Sequence, residues 1–152
     1  MDKEKYLEVY RHSLAHILAK AVIELYGKDV QYAIGPQIAD GFYYDFGLPE
    51  GVSIQESDFR KIEDKMREII KRREDWTVKE VSKQEALDLF KDQKYKTELI
   101  KDLPEGEKIT IYWTGDDYVD LCRGPHVDNS QELMSAAFEI RSVSGAYWRG
   151  DE

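Results

Sequence analysis

Two short strings hold every imidazole and thiol of this chain: "RHSLAHILAK", with His12 and His16, and "DLCRGPHV", with Cys122 and His126. Both pairs are four residues apart. On a helix that spacing puts His12 and His16 side by side on one face. In the second string Gly124 and Pro125 impose a turn that returns His126 toward Cys122. If the two pairs meet, three imidazoles and a thiol line one pocket, the donor types and number of a tetrahedral zinc site. The same four groups can also bind and polarise a substrate without metal, with a histidine as general base near neutral pH. The residues alone leave both readings open, together with a purely structural one in which the histidines fill the edge of a core. A cysteine and a histidine only four apart across a turn suit joint ligation or shared substrate contact better than a nucleophilic dyad.

Other polar groups stand close in sequence. Asp120, two residues before Cys122, shares its strand face and can orient a histidine. Lys96, in "KYKTEL", is by its sequence setting one lysine among many. Tyr43 and Tyr44, in "GFYYDF", alternate faces, so one is expected in the core and the other free to stack on a base.

These groups need elements to carry them. From residue 2 to 26 the apolar side chains Tyr6, Val9, Tyr10, Leu14, Ile17, Leu18, Ala21, Val22 and Leu25 recur in steps of three and four, which predicts one long amphipathic helix ended by Gly27. Residues 30–46 predict two short strands, or a strand and an irregular return, broken at Gly35-Pro36 and Asp40-Gly41. A second helix is expected from Ser57, its N-cap, to about Glu74, with Phe59, Ile62, Met66, Ile69 and Ile70 on its buried side. "WTVKEVS" predicts an alternating half-buried strand, Ser82 and Glu85 a capping box opening a short helix, and "QKYKTELIKDL" a short helix or loop. "ITIYWTG", "YVDLCRG", "AFEIRSVSG" and "AYWRG" predict strands. Helices fill the first two thirds and strands the last. The expected fold is α+β, a mostly antiparallel sheet packed against the long N-terminal helix, with additional helices.

The bulk numbers narrow the function. A chain of 152 residues fits one domain and needs no disulfides, and its single cysteine suits a reducing compartment, with cytoplasm the default. With 22 Lys+Arg against 31 Asp+Glu the formal net charge is −9, which opposes binding to a polyanion unless contact is local or supplied by other parts of a larger protein. The charged start "MDKEKYLEVY" is no signal peptide, and no apolar run approaches the ~18 residues of a membrane span.

The strings "RHSLAHILAKAV", "AIGPQIADGFYYDF", "YVDLCRGPHV" and "GAYWRGD", in that order over nearly the whole chain, closely resemble the editing domain of bacterial-type threonyl-tRNA synthetase. More distantly they resemble the editing domain of alanyl-tRNA synthetase and its free-standing relatives. The resemblance implies that residues 1–152 are an editing domain, a fragment of a larger ATP-using ligase that lacks the catalytic and anticodon-binding domains and so has no ligase activity itself. The implied reaction is hydrolysis of the ester between serine and the tRNA for threonine, with the threonyl ester rejected. Serine lacks one methyl of threonine, worth only about 1–3 kcal/mol of discrimination, so a second, smaller pocket must remove the errors. Implied partners are the 3′ end of the aminoacylated tRNA and the rest of the synthetase chain, in a cytoplasmic, homodimeric enzyme. Residue by residue, the pattern implies that His12 and Lys96 position and activate water, that His16, Asp120, Cys122 and His126 hold the seryl group, and that Gly35 and Tyr44 line the terminal adenosine. Alanyl-type sites use zinc, whereas the threonyl type works without a required metal. No cofactor is therefore expected, with His12, His16, Cys122 and His126 as the ligands should zinc bind. The alternatives are a free-standing editing protein acting in trans and a non-catalytic, metal-stabilised RNA-binding module.

Overall fold

The computed structural model describes residues 3–35, 37–38 and 41–143. Helix α1 spans Lys3–Tyr26, as the periodicity predicts, and stops where Gly27 takes φ +104° and returns its N–H to the Ile23 carbonyl. Its two sides serve two cores. Leu14, Ile17, Ala21 and Val22 pack with Ile62, Met66, Ile69 and Ile70 of α2 (Phe59–Lys71), and with Trp76, Val127 and Leu133. Ala15 and Ala19, small enough for close approach, face Val81, Ile109, Ile111, Tyr118 and Val119 of a three-stranded sheet.

That sheet has the order β5-β6-β7, with β5 Trp76–Val81, β6 Ile109–Thr114 and β7 Tyr118–Leu121, antiparallel throughout. Between β5 and β6 lie helices α3 (Lys83–Leu89) and α4 (Lys94–Lys101); Phe90, just past the end of α3, and Ile100 of α4 complete the second core. The Ser82–Glu85 capping box forms as expected: Ser82 Oγ accepts from Glu85 N at 3.1 Å, and Glu85 Oε1 accepts from Ser82 N at 3.3 Å. Residues 31–47 form two antiparallel pairs, β1 (Gln31–Tyr32) with β4 (Phe46–Gly47), and β2 (Gln37–Ile38) with β3 (Gly41–Phe42). The fold is the α+β arrangement expected.

Several expectations change. Ser57 does not cap α2, because it lies inside a 3₁₀ turn, Glu56–Asp58, whose start is held by Asp58 Oδ2 accepting from Gln55 N at 2.9 Å. The helix ends at Lys71, three residues short of Glu74, and Arg73 takes a positive φ of 54° as the chain turns into β5. Residues 77–80 are all exposed, so β5 does not alternate; as the sheet's edge strand it has both faces open in its middle, and Val78 is 55% exposed. "AFEIRSVSG" alternates only at its start, with Phe138 and Ile140 half-buried between exposed Ala137 and Glu139; residues 141–143 are exposed, and through residue 143 it forms no strand. It lies along α2, where Glu63 accepts from Ile140 N at 2.7 Å and Arg67 donates to Phe138 O at 3.3 Å, so side chains take the place of a neighbouring strand. The "AYWRG" strand, the "GAYWRGD" string, Pro36 and Asp40 lie outside the described residues.

Candidate active site

The two predicted pairs converge. His12 and His16 leave α1 on the side that meets the end of β7, where Cys122 N continues the ladder to Thr110 O at 3.2 Å. The chain then turns through Gly124, at φ +75° and backed by the Tyr112 ring, so close that a Cβ there would overlap Tyr112 Oη. That turn returns His126 to Cys122. The thiol Sγ lies 3.1 Å from His126 Nε2 and 3.2 Å from His12 Nε2, and accepts from Gly124 N at 3.2 Å. The His126 ring lies 4.2 Å from that of His12 and 4.1 Å from that of His16, and Trp76 covers both His16 and His126. His12 and Cys122 are half-buried, while His16 and His126 are buried.

Behind this cluster sits Asp120, 2% exposed. Lys96 Nζ contacts its Oδ1 at 2.5 Å, Leu121 N donates to Oδ1 at 2.7 Å, and the hydroxyls of Tyr44 and Tyr118 donate to Oδ2 at 2.6 and 2.7 Å. His16 Nε2 stands 3.5 Å from Oδ2. Lys96, 3% exposed, also donates to the Ala33 carbonyl at 2.7 Å and lies over the Tyr32 and Tyr44 rings. A lysine indistinguishable from others in the sequence is thus a buried partner of the site carboxylate.

The electrostatics divide the pocket in two. Burial drives His16 down to about 4, and the Asp120 charge only partly opposes this. His126 is also lowered by burial and then by its two histidine neighbours, and His12 is lowered by burial against the pull of Asp120. Burial raises the Cys122 thiol to about 12. At neutral pH the cluster therefore carries three neutral imidazoles and a protonated thiol. For Asp120 burial works the other way, but Lys96 and His16 outweigh it and hold the carboxyl at about 2. One layer is neutral and able to accept protons; beneath it lies the buried Lys96–Asp120 pair.

Tyr44 and Gly35 are placed differently from the stacking role expected of the tyrosine. The Tyr44 ring is buried, stacked on Phe46 with centroids 5.1 Å apart, and pressed so closely on Gly35 that a Cβ there would overlap Tyr44 Cδ2. Of the adjacent tyrosines, Tyr43 is the exposed one, at 45%. Sequence reasoning missed Tyr118 and Ser13. The first had a signal, since it stands two residues before Asp120 on the same strand face. Ser13 had none beyond its place between the two histidines.

By type and spacing the four clustered residues fit a zinc ion: their ligand atoms lie within 4.8 Å of one another, and His16 Nδ1 is buried with no hydrogen-bond partner among the described residues. His12, His16, Cys122 and His126 would hold the metal, which would supply a Lewis acid there.

Comparison with known proteins gives first a class and then its particular members. Residues 109–151, which contain β6, β7 and the Cys122–His126 turn, match the family described as the threonyl and alanyl tRNA synthetase second additional domain. The chain is related to aminoacyl-tRNA synthetases. Over its whole length the likeness is to threonine--tRNA ligases: it is 52% identical over 146 residues to that of Thermotoga maritima, covering 95% of this chain and 22% of that protein. It is 47% identical over 152 residues to those of Borrelia duttonii and Borrelia turicatae, covering all of this chain and 25% of each. The chain thus spans a quarter or less of the length of these curated relatives. Among the described residues no helix is long and apolar enough to cross a membrane.

Proposed function

We infer that residues 1–152 form an editing domain that hydrolyses seryl esters of the tRNA for threonine and rejects threonyl esters, within a larger cytoplasmic, homodimeric synthetase. The observation that carries this reading is the convergence of two neutral histidines of α1 with the Cys122–His126 turn, directly over the buried Lys96–Asp120 pair. A neutral, half-buried His12 is in the protonation state a general base requires. In the proposed reaction His12 takes a proton from water as the oxygen attacks the ester carbonyl carbon; the C–O bond to the terminal ribose breaks, the ribose oxygen takes that proton back from the His12 imidazolium, and free serine leaves. Lys96 has three ammonium hydrogens, of which Asp120 and Ala33 occupy two, so the third can position the water or the carbonyl oxygen. His16, Cys122 and His126 surround the seryl side chain, and Asp120 acts beside them by fixing Lys96. Gly35 and Tyr44 form the wall on the side of the terminal adenosine. No metal is required in this reading.

The test is incubation of the chain with seryl- and threonyl-tRNA for threonine, with and without a chelator. The reading expects selective release of serine in both conditions. Indifference to both esters would leave a binding role, and full loss of activity on chelation would sink the metal-independent reaction. The second reading, a non-catalytic metal-stabilised module, is favoured by the four-ligand set. His12→Ala separates the two: the enzyme stays folded and loses hydrolysis, whereas the structural module unfolds.

A further inference from the structure

Ser13 is fully buried between the two pairs of the site, and its hydroxyl ties the helix to the turn. Oγ accepts from Val127 N at 3.1 Å and lies 3.0 Å from His126 Nδ1. The oxygen therefore meets one obligate donor and one nitrogen of either role. Donation to Nδ1 uses the hydroxyl proton inside a pocket where an unused donor is costly. It also leaves Nε2 as the protonated nitrogen of a neutral His126, facing Cys122 Sγ at 3.1 Å. Sγ then accepts from His126 and from Gly124 N, and its own proton is directed to His12 Nε2, 3.2 Å away. All the donors along this path point one way, from the backbone of Val127 to the imidazole of His12.

We propose that Ser13 is a positioning residue that fixes His126 in the Nε2–H tautomer, so that His126 presents a donor and His12 an acceptor to the pocket. The proposal deepens the deacylase reading: a donor at His126 suits the hydroxyl and carbonyl oxygens of a seryl ester. Partners that orient metal-ligating histidines are typically worth about ten- to a hundredfold in affinity or activity, and Ser13 orients His126 through the same kind of contact.

The test combines a spectroscopic and a kinetic readout on the whole chain, purified without added metal. Long-range 15N–1H correlation spectra of histidine-labelled protein distinguish the two neutral tautomers. Wild type is expected to show His126 as Nε2–H; Ser13→Ala is expected to mix the tautomers and lower kcat for seryl-tRNA about tenfold or more at nearly constant KM; Ser13→Thr, which keeps the hydroxyl, is expected to restore both. Nδ1–H at His126 in wild type, a result that needs no variant to fold, would overturn the proposal, and so would an unchanged tautomer in Ser13→Ala. A wild-type chain with the expected tautomer and no deacylase activity would instead refute the functional reading while supporting the assignment of Ser13.

Discussion

Lys96→Met separates a structural from a chemical role for the ammonium. The side chain keeps its length and apolar stem but loses the charge that Asp120 faces at 2.5 Å. Breaking a buried pair from one side leaves an uncompensated charge and costs about 3–5 kcal/mol, a large part of the ~5–15 kcal/mol that holds a domain together. The Asp120 carboxyl is depressed to about 2 from an unfolded value near 3.9, a difference of about 2–3 kcal/mol. Because the folded value is the lower one, this stability is present above pH ~4 and is lost as pH falls toward 2. Without Lys96, burial dominates and the carboxyl rises. Lys96→Met with Asp120→Asn removes both charges; the Tyr44 and Tyr118 hydroxyls can turn to accept from the new amide, but their protons then lose the Oδ2 acceptor and the Ala33 carbonyl loses Lys96, at about 1–3 kcal/mol for each buried group left unpaired. Urea unfolding at pH 7 of wild type, both single variants and the double variant is expected to show a double cost well below the sum, with a coupling of about 2–3 kcal/mol. Additive costs would refute the electrostatic account of the pair. Seryl-tRNA hydrolysis on the same four proteins then assigns the role: stability restored in the double variant without activity supports Lys96 in the reaction, and restoration of both refutes it.

Acid offers a second check. His16 and His126 have folded values below the unfolded 6.5, so between pH 6.5 and about 4 the unfolded chain binds protons that the folded chain refuses, and stability falls as pH falls. From pH 7 to pH 5 the two together should cost about 4 kcal/mol, read as a lower urea midpoint; equal midpoints at the two pH values would contradict the neutral cluster. Gly35→Ala should push the Tyr44 ring off its position and loosen its hydroxyl from Asp120, costing about 1–3 kcal/mol and lowering hydrolysis, and a variant as stable as wild type would show that the close packing at Gly35 is dispensable.

The sequence made the chemistry easier to see than the scaffold. Equal spacing of two His-containing pairs was enough to expect a shared pocket, because the i, i+4 rule on a helix and the Gly-Pro turn after a strand are both local geometry. The helices α1 and α3 and strands β6 and β7 were legible for the same reason, whereas for α4 the sequence leaves a short helix and a loop both open. Ser57 failed as a cap because Gln55 and Asp58 closed an earlier turn, a competition between neighbours of similar capping chemistry. The segment 137–143 failed as a strand because the alternation at Phe138 and Ile140 reports which side is buried, not whether the partner is a strand or, as here, a helix. Lys96 could not be ranked by its setting at all, since its partners Asp120 and Ala33 are 24 and 63 residues away and only the fold brings them together.

The separation into two layers bears on what can attack a substrate. Both oxygens of Asp120 are taken by Lys96, Leu121, Tyr44 and Tyr118, and its carboxyl is held far below neutrality, so it is a poor acceptor for a proton from water. Cys122 is held as a thiol by burial and cannot serve as a ready nucleophile near pH 7. His16 is buried and faces the carboxylate, and His126 is buried against Ser13 and Trp76. Among these groups His12 alone is a half-buried imidazole, and its Nε2 faces the Cys122 thiol at 3.2 Å rather than a carboxylate. In the proposed reaction proton acceptance therefore falls to His12. In the same proposal the ion pair beneath contributes a cation fixed in place by Asp120 and the Ala33 carbonyl, which can stabilise an oxyanion.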